Sequence, residues 1–315
     1  MLNIDKYFDN LPWLDAERAR LAALIEAGQL PHAILLHGPA GTGRRQLALW
    51  LSETLLSCDL RHAAESGEDE VDLHPDLVIV EPEPDKTAIG IDRIRELIDF
   101  MNLTGHQGPA RCALIYPAEA MTVNAANSLL KTLEEPPPGV VLVLICETIG
   151  RLPATVVSRC QRFRVAPPAL DAGRDWLAGQ TNERDLDPIL DFAGGAPLAA
   201  LALCEQAFAG LAEGFETDLA NLAARRADPV RVAAGWAKQP ELALRWLYGH
   251  MAAQLRDELG AGAAETGQSE RLAAYFRQLD QIRELRRFIA GSVNAELGLT
   301  ELLMDWYGDS HARET

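Results

Sequence analysis

The stretch AILLHGPAGTGRR, residues 33–45, places a short apolar run directly before a glycine-rich turn and the start of a helix. In such an arrangement, backbone N–H groups and a helix N-terminus can face an anion. The stretch predicts a buried strand over residues 33–37, a loop of the phosphate-binding type, and a helix over residues 44–57. It therefore indicates a sheet protein with helices between its strands.

The same alternation continues through the first half of the chain. Further apolar runs of strand length lie at residues 77–80, 112–116, 140–146 and, more weakly, 163–165. Helical periodicity lies between or before them, at residues 16–27, 91–103 and 122–134. Because nearly continuous apolar strands alternate with helices, we expect a parallel sheet covered on both faces.

The strand signals stop near Pro167-Pro168, and the remainder of the 315-residue chain is helical in pattern. This length suits two or three domains. We predict an α/β domain over residues 1–166, a small helical domain over residues 167–206, and a helical bundle over residues 207–315. The predicted fold class is thus α/β followed by all-α.

Composition narrows the possible functions. The chain has 29 Lys and Arg against 46 Asp and Glu, which gives a net charge of −17. This charge disfavours a protein that coats DNA through its overall charge. It does not exclude a local basic patch or membership of a larger assembly. Its five cysteines show no C-x-x-C spacing, which fits a reducing compartment. The start MLNIDKYFDN does not resemble a secretory signal, and no apolar run approaches the ~20 residues of a membrane span. We expect a cytoplasmic protein.

The glycine-rich loop departs from the working motif G-x-x-x-x-G-K-[ST] at its two chemical positions. Its glycines are present at Gly38, Gly41 and Gly43, but Arg44 takes the lysine position and Arg45 the hydroxyl position. An arginine offers no oxygen to Mg²⁺. We predict a degenerate, non-functional phosphate loop, which is either a retained anion pocket or a plain strand-to-helix turn.

The acidic half of an ATPase site is also missing. A metal-holding Asp-Glu pair would fall at the end of strand 112–116, where the chain has Tyr116 and Pro117. Glu119 lies too far along to replace the pair without a rearranged turn. Two independent defects therefore predict that this chain does not hydrolyse ATP by itself.

Four features occur in order along the first half: the degenerate loop, the strand CALIY at residues 112–116, NSLLKTLEEPP at residues 127–137, and Ser158-Arg159-Cys160. Together they resemble the clamp-loader subunits of bacterial DNA polymerase III, within the AAA+ superfamily, over residues 12–165. The combined losses resemble its delta-prime subunits more than the ATP-hydrolysing gamma and tau subunits. The resemblance implies a RecA-like domain, a helical lid, and a collar that joins gamma/tau and delta subunits in a five-membered ring. That ring would load a sliding clamp onto primer-template DNA.

The resemblance also implies a role for Arg159, flanked by Ser158 and Cys160, as an arginine supplied in trans to the ATP of a neighbouring subunit. A permanently charged, planar guanidinium near a γ-phosphate stabilises the charge of phosphoryl transfer. The alternative is an ordinary surface ion pair at a strand end. Lys131, Glu134 and Glu135, which lie at helical spacings, are assigned no catalytic role.

The chain departs from the family pattern at two further positions. Members of the family usually carry a zinc module of four cysteines after the loop helix, but only Cys58 falls there, and His62 and His74 do not complete a tetrahedral set. We therefore expect no zinc and no other cofactor. In the lid, Leu198 takes the position at which active members carry a nucleotide-sensing arginine.

Two other functions stay open at this point. One is a self-sufficient ATPase in which Arg44 replaces the lysine and Glu119 or Asp92 holds Mg²⁺. The other is an adaptor that binds nucleotide without cleaving it.

Overall fold

The computed structural model describes residues 11–58, 60, 74–103, 110–260, 268–289 and 294–312. The chain divides into two compact units, residues 1–202 and residues 203–315. The boundary predicted near residue 166 lies inside the first unit, and a separate lid over residues 167–206 stays a prediction.

The first unit contains a five-stranded, all-parallel sheet in the order β2-β3-β4-β1-β5. Its strands are β1 (Ala33–His37), β2 (Leu77–Val80), β3 (Arg111–Ile115), β4 (Val140–Cys146) and β5 (Gln161–Arg164). In this register His37 lies opposite both Cys146 and Arg164. Because all five strands run the same way, their carboxyl ends meet at one edge of the sheet, where open α/β folds place ligand sites. We call this the carboxyl edge. The predicted parallel α/β sheet is confirmed.

Helices cover both faces of the sheet. They are α1 (Asp15–Glu26), α2 (Arg44–Leu56), α3 (Ile91–Asn102), α4 (Val123–Glu134) and the short α5 (Ala154–Val157). Alternate strand residues bury against different helices: Leu36 shares a core with Leu47 of α2, whereas Leu35 shares one with Leu97 of α3 and Leu129 of α4. Burial on both faces is why these strands are almost entirely apolar.

Helix α4 has a defined start and a defined end. The Thr122 hydroxyl accepts a hydrogen bond from the Ala125 N–H, so Thr122 caps the helix rather than belonging to it. The helix ends at Glu134, and after Glu135 the run Pro136-Pro137-Pro138 cannot continue it. These two limits fix Glu134 at the C-terminus of the helix.

The rest of the chain is helical. Helices α6 (Leu170–Ala178), α7 (Asp187–Phe192) and α8 (Pro197–Glu205) follow the sheet. The second unit contains α9 (Phe208–Ala223), α10 (Pro229–Trp236), α11 (Pro240–Gly260), α12 (Gln268–Ile289) and α13 (Ala295–Ala312). Its core includes Trp236, whose ring lies 5.1 Å from that of Phe215 and 6.2 Å from that of Trp246. No single helix in the described ranges is long and apolar enough to cross a membrane; one bent pair, Pro197–Glu205 with Gly210–Ala223, meets those limits only jointly.

A buried ion pair anchors the amino ends of two strands. Arg111 begins β3, one residue earlier than predicted, and is only 3% exposed. Its Nε lies 3.5 Å from Oδ1 of the fully buried Asp76, which precedes β2. Its Nη1 donates to the Phe100 carbonyl at 2.6 Å, near the end of α3. One guanidinium therefore links β2, β3 and α3.

Replacing Arg111 by alanine should strongly destabilise the first unit. The buried Asp76 carboxylate would lose its contact with Arg111, and breaking a buried pair in this way costs about 3–5 kcal/mol. The matched control is Arg95→Ala, because Arg95 pairs with Asp92 on the exposed surface of α3. That change should cost less than about 1 kcal/mol. Urea unfolding of the two variants measures the difference, and equal losses would contradict a structural role for the buried pair.

Candidate functional site

The glycine-rich loop between β1 and α2 is packed tightly against two other segments. Gly38 has φ 149° and Gly41 has φ 76°, conformations that favour glycine. A Cβ at Gly38 would lie 2.0 Å from the Val165 carbonyl oxygen, and one at Gly41 would lie 2.3 Å from the Ala199 nitrogen of α8. The loop glycines are therefore required by close backbone packing within this chain.

Hydrogen bonds within the chain engage the loop further. The Leu198 N–H donates to the Gly41 carbonyl at 3.1 Å, and Trp13 Nε1 donates to the Thr42 carbonyl at 2.9 Å. Thr42 is fully buried and its hydroxyl donates to the Pro39 carbonyl at 2.9 Å. Leu198 itself packs against the core on this face of the sheet. Such contacts are those of a structural strand-to-helix turn.

Two guanidinium groups extend from the start of α2 to the carboxyl edge. Arg44 is 4% exposed, and its Nη2 lies 3.5 Å from Oε1 of Glu147, just after β4. Its Nη1 is buried and has no hydrogen-bond partner among the described residues. Arg45 donates from Nη2 to Oε1 of Glu81, just after β2, at 3.0 Å, and its Cζ lies 4.3 Å from the centre of the Tyr116 ring. The residues at the lysine and hydroxyl positions thus make contacts with carboxylates and an aromatic ring.

The two carboxylates considered as metal ligands lie in different places. Glu119 is in a short helical turn after β3, and its Oε1 accepts a hydrogen bond from the Glu147 N–H at 2.8 Å. Its Oε2 is buried without a partner in the described chain. Asp92 is highly exposed at the start of α3, where it pairs with Arg95 at 3.2 Å. The structure therefore brings Glu119, but not Asp92, to the carboxyl edge beside the partner of Arg44.

Positive charge dominates the side of this edge near β5. The pKa of His37, at the end of β1, is lowered first by burial and then by Arg164, Arg162 and Arg44. Arg162 and Arg164 are exposed on β5, on either side of the buried Phe163. The sequence analysis did not single out these two arginines. Their signal is the alternation in QRFR, which is typical of a strand with one buried face.

Arg159 lies between α5 and β5 and forms an ion pair with Glu134 at the end of α4. Arg159 Nε donates to Glu134 Oε1 at 2.8 Å, and Nη2 donates to the same oxygen. Arg159 Nη1 donates to the Thr155 carbonyl at 2.9 Å and to the Ser158 hydroxyl at 3.3 Å. The surface ion pair considered from the sequence is therefore present. The Arg159 side chain is still 33% exposed and that of Glu134 is 51% exposed, so solvent reaches both.

The buried cysteines are poor nucleophiles. Burial raises the pKa of the Cys160 thiol, next to Arg159, to about 11. Burial, reinforced by Glu119, raises the pKa of Cys146 to about 12, and burial raises that of Cys112 to about 12. Reactive cysteines need the opposite shift. These thiols act as small core side chains.

The predicted absence of zinc concerns the region around Cys58. The His74 Nδ1 accepts a hydrogen bond from the Asp76 N–H at 3.1 Å, whereas His62 lies outside the described residues. Within the described ranges, no group of three or more His, Cys, Asp or Glu side chains is placed to hold a metal ion. For the whole chain, the absence of zinc stays a prediction.

Comparison with known proteins identifies relatives of this chain. A family model described as DNA polymerase III, delta subunit, matches residues 15–169. DNA polymerase III subunit delta' of Pseudomonas aeruginosa is 34% identical, with 95% of this chain and 97% of that protein aligned. The subunit delta' of Yersinia pestis is 31% identical over 94% of each chain. A crystal structure of a DNA polymerase III gamma subunit-related protein from Thermotoga maritima has the same fold, with a TM-score of 0.50 and 22% identity over 92% of this chain and 99% of its own.

Replacing Gly41 by alanine should destabilise the first unit more than the same change at Gly28. Gly28 also has a positive φ, of 64°, but a Cβ there would meet nothing within 4 Å. Both variants carry the strain of an L-residue in the left-handed region, about 1–2 kcal/mol. Only Gly41→Ala must also move α8 away from the loop, which we expect to cost about 1–3 kcal/mol more. Urea unfolding gives both values, and equal values would show that the loop tolerates separation from α8.

Alkylation should separate the cysteines by burial. At pH 8 a thiol with a pKa near 12 is ionised in about one molecule in ten thousand. Iodoacetamide should therefore label the half-buried Cys58 and Cys204 well before the buried Cys112, Cys146 and Cys160. Mass spectrometry of the digested protein measures the order, and the protein unfolded in urea is the control, since all five sites should then react. Early labelling of Cys160 in the folded chain would contradict its role as a core residue.

Proposed function

The chain belongs to the delta-prime family of DNA polymerase III subunits, and from this membership and the site geometry we propose that it is a non-hydrolysing clamp-loader subunit. In this role Arg159 is supplied in trans to the ATP bound by a neighbouring gamma or tau subunit. The chain itself is not an enzyme but a component of the DNA polymerase III holoenzyme, and it needs no cofactor of its own.

The observation that best supports the non-hydrolysing role is the position of Arg44 and Arg45. Both reach the carboxyl edge of the sheet, and each lies beside a carboxylate, Glu147 and Glu81 respectively. A hydrolytic site would need a hydroxyl and an acidic pair to hold Mg²⁺ at such an edge. Two guanidinium groups take those positions instead; they offer no oxygen to Mg²⁺, and they pair with two of the carboxylates at this edge.

Arg159 suits a role in trans because of its chemistry and its exposure. Its guanidinium is permanently charged and presents a planar set of donors that matches phosphate geometry. One third of the Arg159 side chain is open to solvent, just before the amino end of β5. The neighbouring exposed Arg162 and Arg164 add positive charge to β5. An arginine supplied to a γ-phosphate in this way is worth ~10³-fold or more in rate.

The second unit supports a role in assembly. Six large apolar side chains are exposed on its described helices: Val230, Leu259, Phe276, Phe288, Leu297 and Met304. Where exposed apolar side chains lie together on a surface, that surface is typical of a protein interface. We propose that this unit is the collar that binds the gamma/tau and delta subunits in a five-membered ring. Contacts with the sliding clamp and primer-template DNA then belong to the assembly, in the cytoplasm, which suits a chain of net charge −17.

A self-sufficient ATPase remains the second candidate function. The observation that favours it is the buried Oε2 of Glu119, which has no partner among the described residues and lies at the carboxyl edge. Against it, the other oxygen of Glu119 already accepts a hydrogen bond from the Glu147 N–H. Arg44 and Arg45, which take the lysine and hydroxyl positions of the loop, also cannot ligate Mg²⁺.

Substituting Arg159 by alanine should lower DNA-stimulated ATP hydrolysis by a reconstituted clamp loader. The assay contains this chain, the motor subunits, the delta subunit, the clamp and primed DNA. The ATP site served by Arg159 should slow by ~10³-fold or more, so that total turnover falls to that of the remaining sites. Gel filtration should show that the variant still assembles, because the change removes only a surface side chain.

Arg95→Ala is the matched control, since it removes an exposed arginine from the outer surface of α3 and should leave turnover unchanged. Each chain is also assayed alone with Mg²⁺ and ATP. Full turnover with Arg159→Ala would show that the subunit is only a scaffold. Turnover by the native chain alone, abolished by Glu119→Gln, would establish the second candidate function instead.

A further inference from the structure

The end of α4 is an unfavourable place for two carboxylates. Glu134 is the last residue of the helix and Glu135 follows it. The carbonyl groups at a helix C-terminus carry partial negative charge, so acidic side chains there are repelled unless a cation is near. Lys131 lies in the last turn of the helix, and the structure adds a second cation in direct contact with Glu134: Arg159, which is 25 residues further along the chain. The segment LLKTLEEPP, residues 129–137, to which the sequence analysis assigned no catalytic role, therefore contacts the segment Ser158-Arg159-Cys160 directly.

The contacts of Arg159 leave its guanidinium with little capacity for another ligand. A guanidinium has five N–H donors. Glu134 Oε1 accepts from Nε and from Nη2, while Nη1 donates to the Thr155 carbonyl and the Ser158 hydroxyl. Only one Nη2 N–H then remains for an incoming group. A bidentate contact with a phosphate needs two parallel N–H groups, so this arrangement does not permit one.

We propose that Glu134 is a latch for Arg159: it occupies the Nε and Nη2 side of the guanidinium in the isolated chain and must release it when Arg159 engages a phosphate. This inference rests on the proposed role of Arg159 in trans. Release exposes Nε and both Nη2 hydrogens, which form the fork that bidentate phosphate binding uses. The carboxylate and the phosphate compete for the same N–H groups and repel each other, so both cannot hold them together.

The exposure of the pair sets how strong the latch is. Glu134 and Arg159 are both partly solvated, and ion pairs of this kind are weak. The free energy needed to open the pair should therefore weaken the binding of Arg159 to a phosphate by about two- to fivefold. A latch of this strength holds the arginine in one orientation in the isolated chain but yields readily to a phosphate.

Chemical modification of the purified, full-length chain tests the contact without any activity. Phenylglyoxal reacts with accessible arginines, and mass spectrometry follows the rate at Arg159. Glu134→Gln should raise that rate about two- to fivefold. Glu135→Gln is the matched control, because it removes the same charge from the neighbouring position, for which the structure gives no contact with Arg159. An equal rate in both variants would overturn the latch.

The reconstituted clamp loader then tests the consequence. Glu134→Gln should lower the KM for ATP in DNA-stimulated turnover by about two- to fivefold, without lowering kcat, whereas Glu135→Gln should change neither. In a chain that also carries Arg159→Ala, the effect of Glu134→Gln should vanish, because the latch acts only through the arginine.

The outcomes separate the two proposals. If Arg159→Ala leaves turnover unchanged, both the role in trans and the latch are wrong. If Arg159→Ala lowers turnover but Glu134→Gln behaves like Glu135→Gln, the role in trans stands and the latch alone is wrong. A fall in kcat with Glu134→Gln would also overturn the latch, since Glu134 would then be needed to orient Arg159.

Discussion

The arrangement of the first unit depends on one constraint: its five parallel strands must bury both faces of the sheet. A parallel sheet is stable only when helices cover it on both sides, and here alternate residues of each strand enter two separate cores. Parallel pairing also brings every strand end of one kind to the same edge. The loop after β1, Glu81 after β2, Glu119 after β3 and Glu147 after β4 meet there for this reason. The direction of the strands, more than any single side chain, therefore determines where the site lies.

The sequence predicted β1, β2 and β4 with the observed bounds, because sharp breaks limit each apolar run. It placed β3 one residue late. Arg111 looks like a loop residue in isolation, and its burial depends on Asp76, which is distant in sequence, and on the Phe100 carbonyl. It identified β5 only weakly, since an edge strand with a single buried side chain, Phe163, has no apolar run to detect. The pattern of apolar residues predicts a strand well where both of its faces are buried. It predicts a strand poorly where only one face is buried, or where a charged residue is buried against a partner that is distant in sequence.

The candidate site divides in the same way. Residue identities alone predicted that the loop had lost its lysine and its hydroxyl, because those roles belong to particular side-chain chemistries at fixed positions. The partners of the replacements were not predictable: Arg44 and Glu147 are 103 residues apart, and Arg45 and Glu81 are 36 apart. Such pairs depend on the strand order, which decides whose ends lie side by side. The contact between Arg159 and Glu134 likewise requires α4 and α5 to pack on the same face of the sheet.

The arginines of β5 have a consequence for solubility that is separate from ATP. β5 is an outer strand of the sheet, so one row of its backbone N–H and C=O groups has no partner strand within the described sheet. An open row of this kind can recruit a strand from another molecule and start aggregation. Arg162 and Arg164 place two like charges on that strand, and a second copy approaching edge to edge would bring four of them together. The same side chains that make this surface attractive to an anion therefore protect the sheet from growing into a fibre.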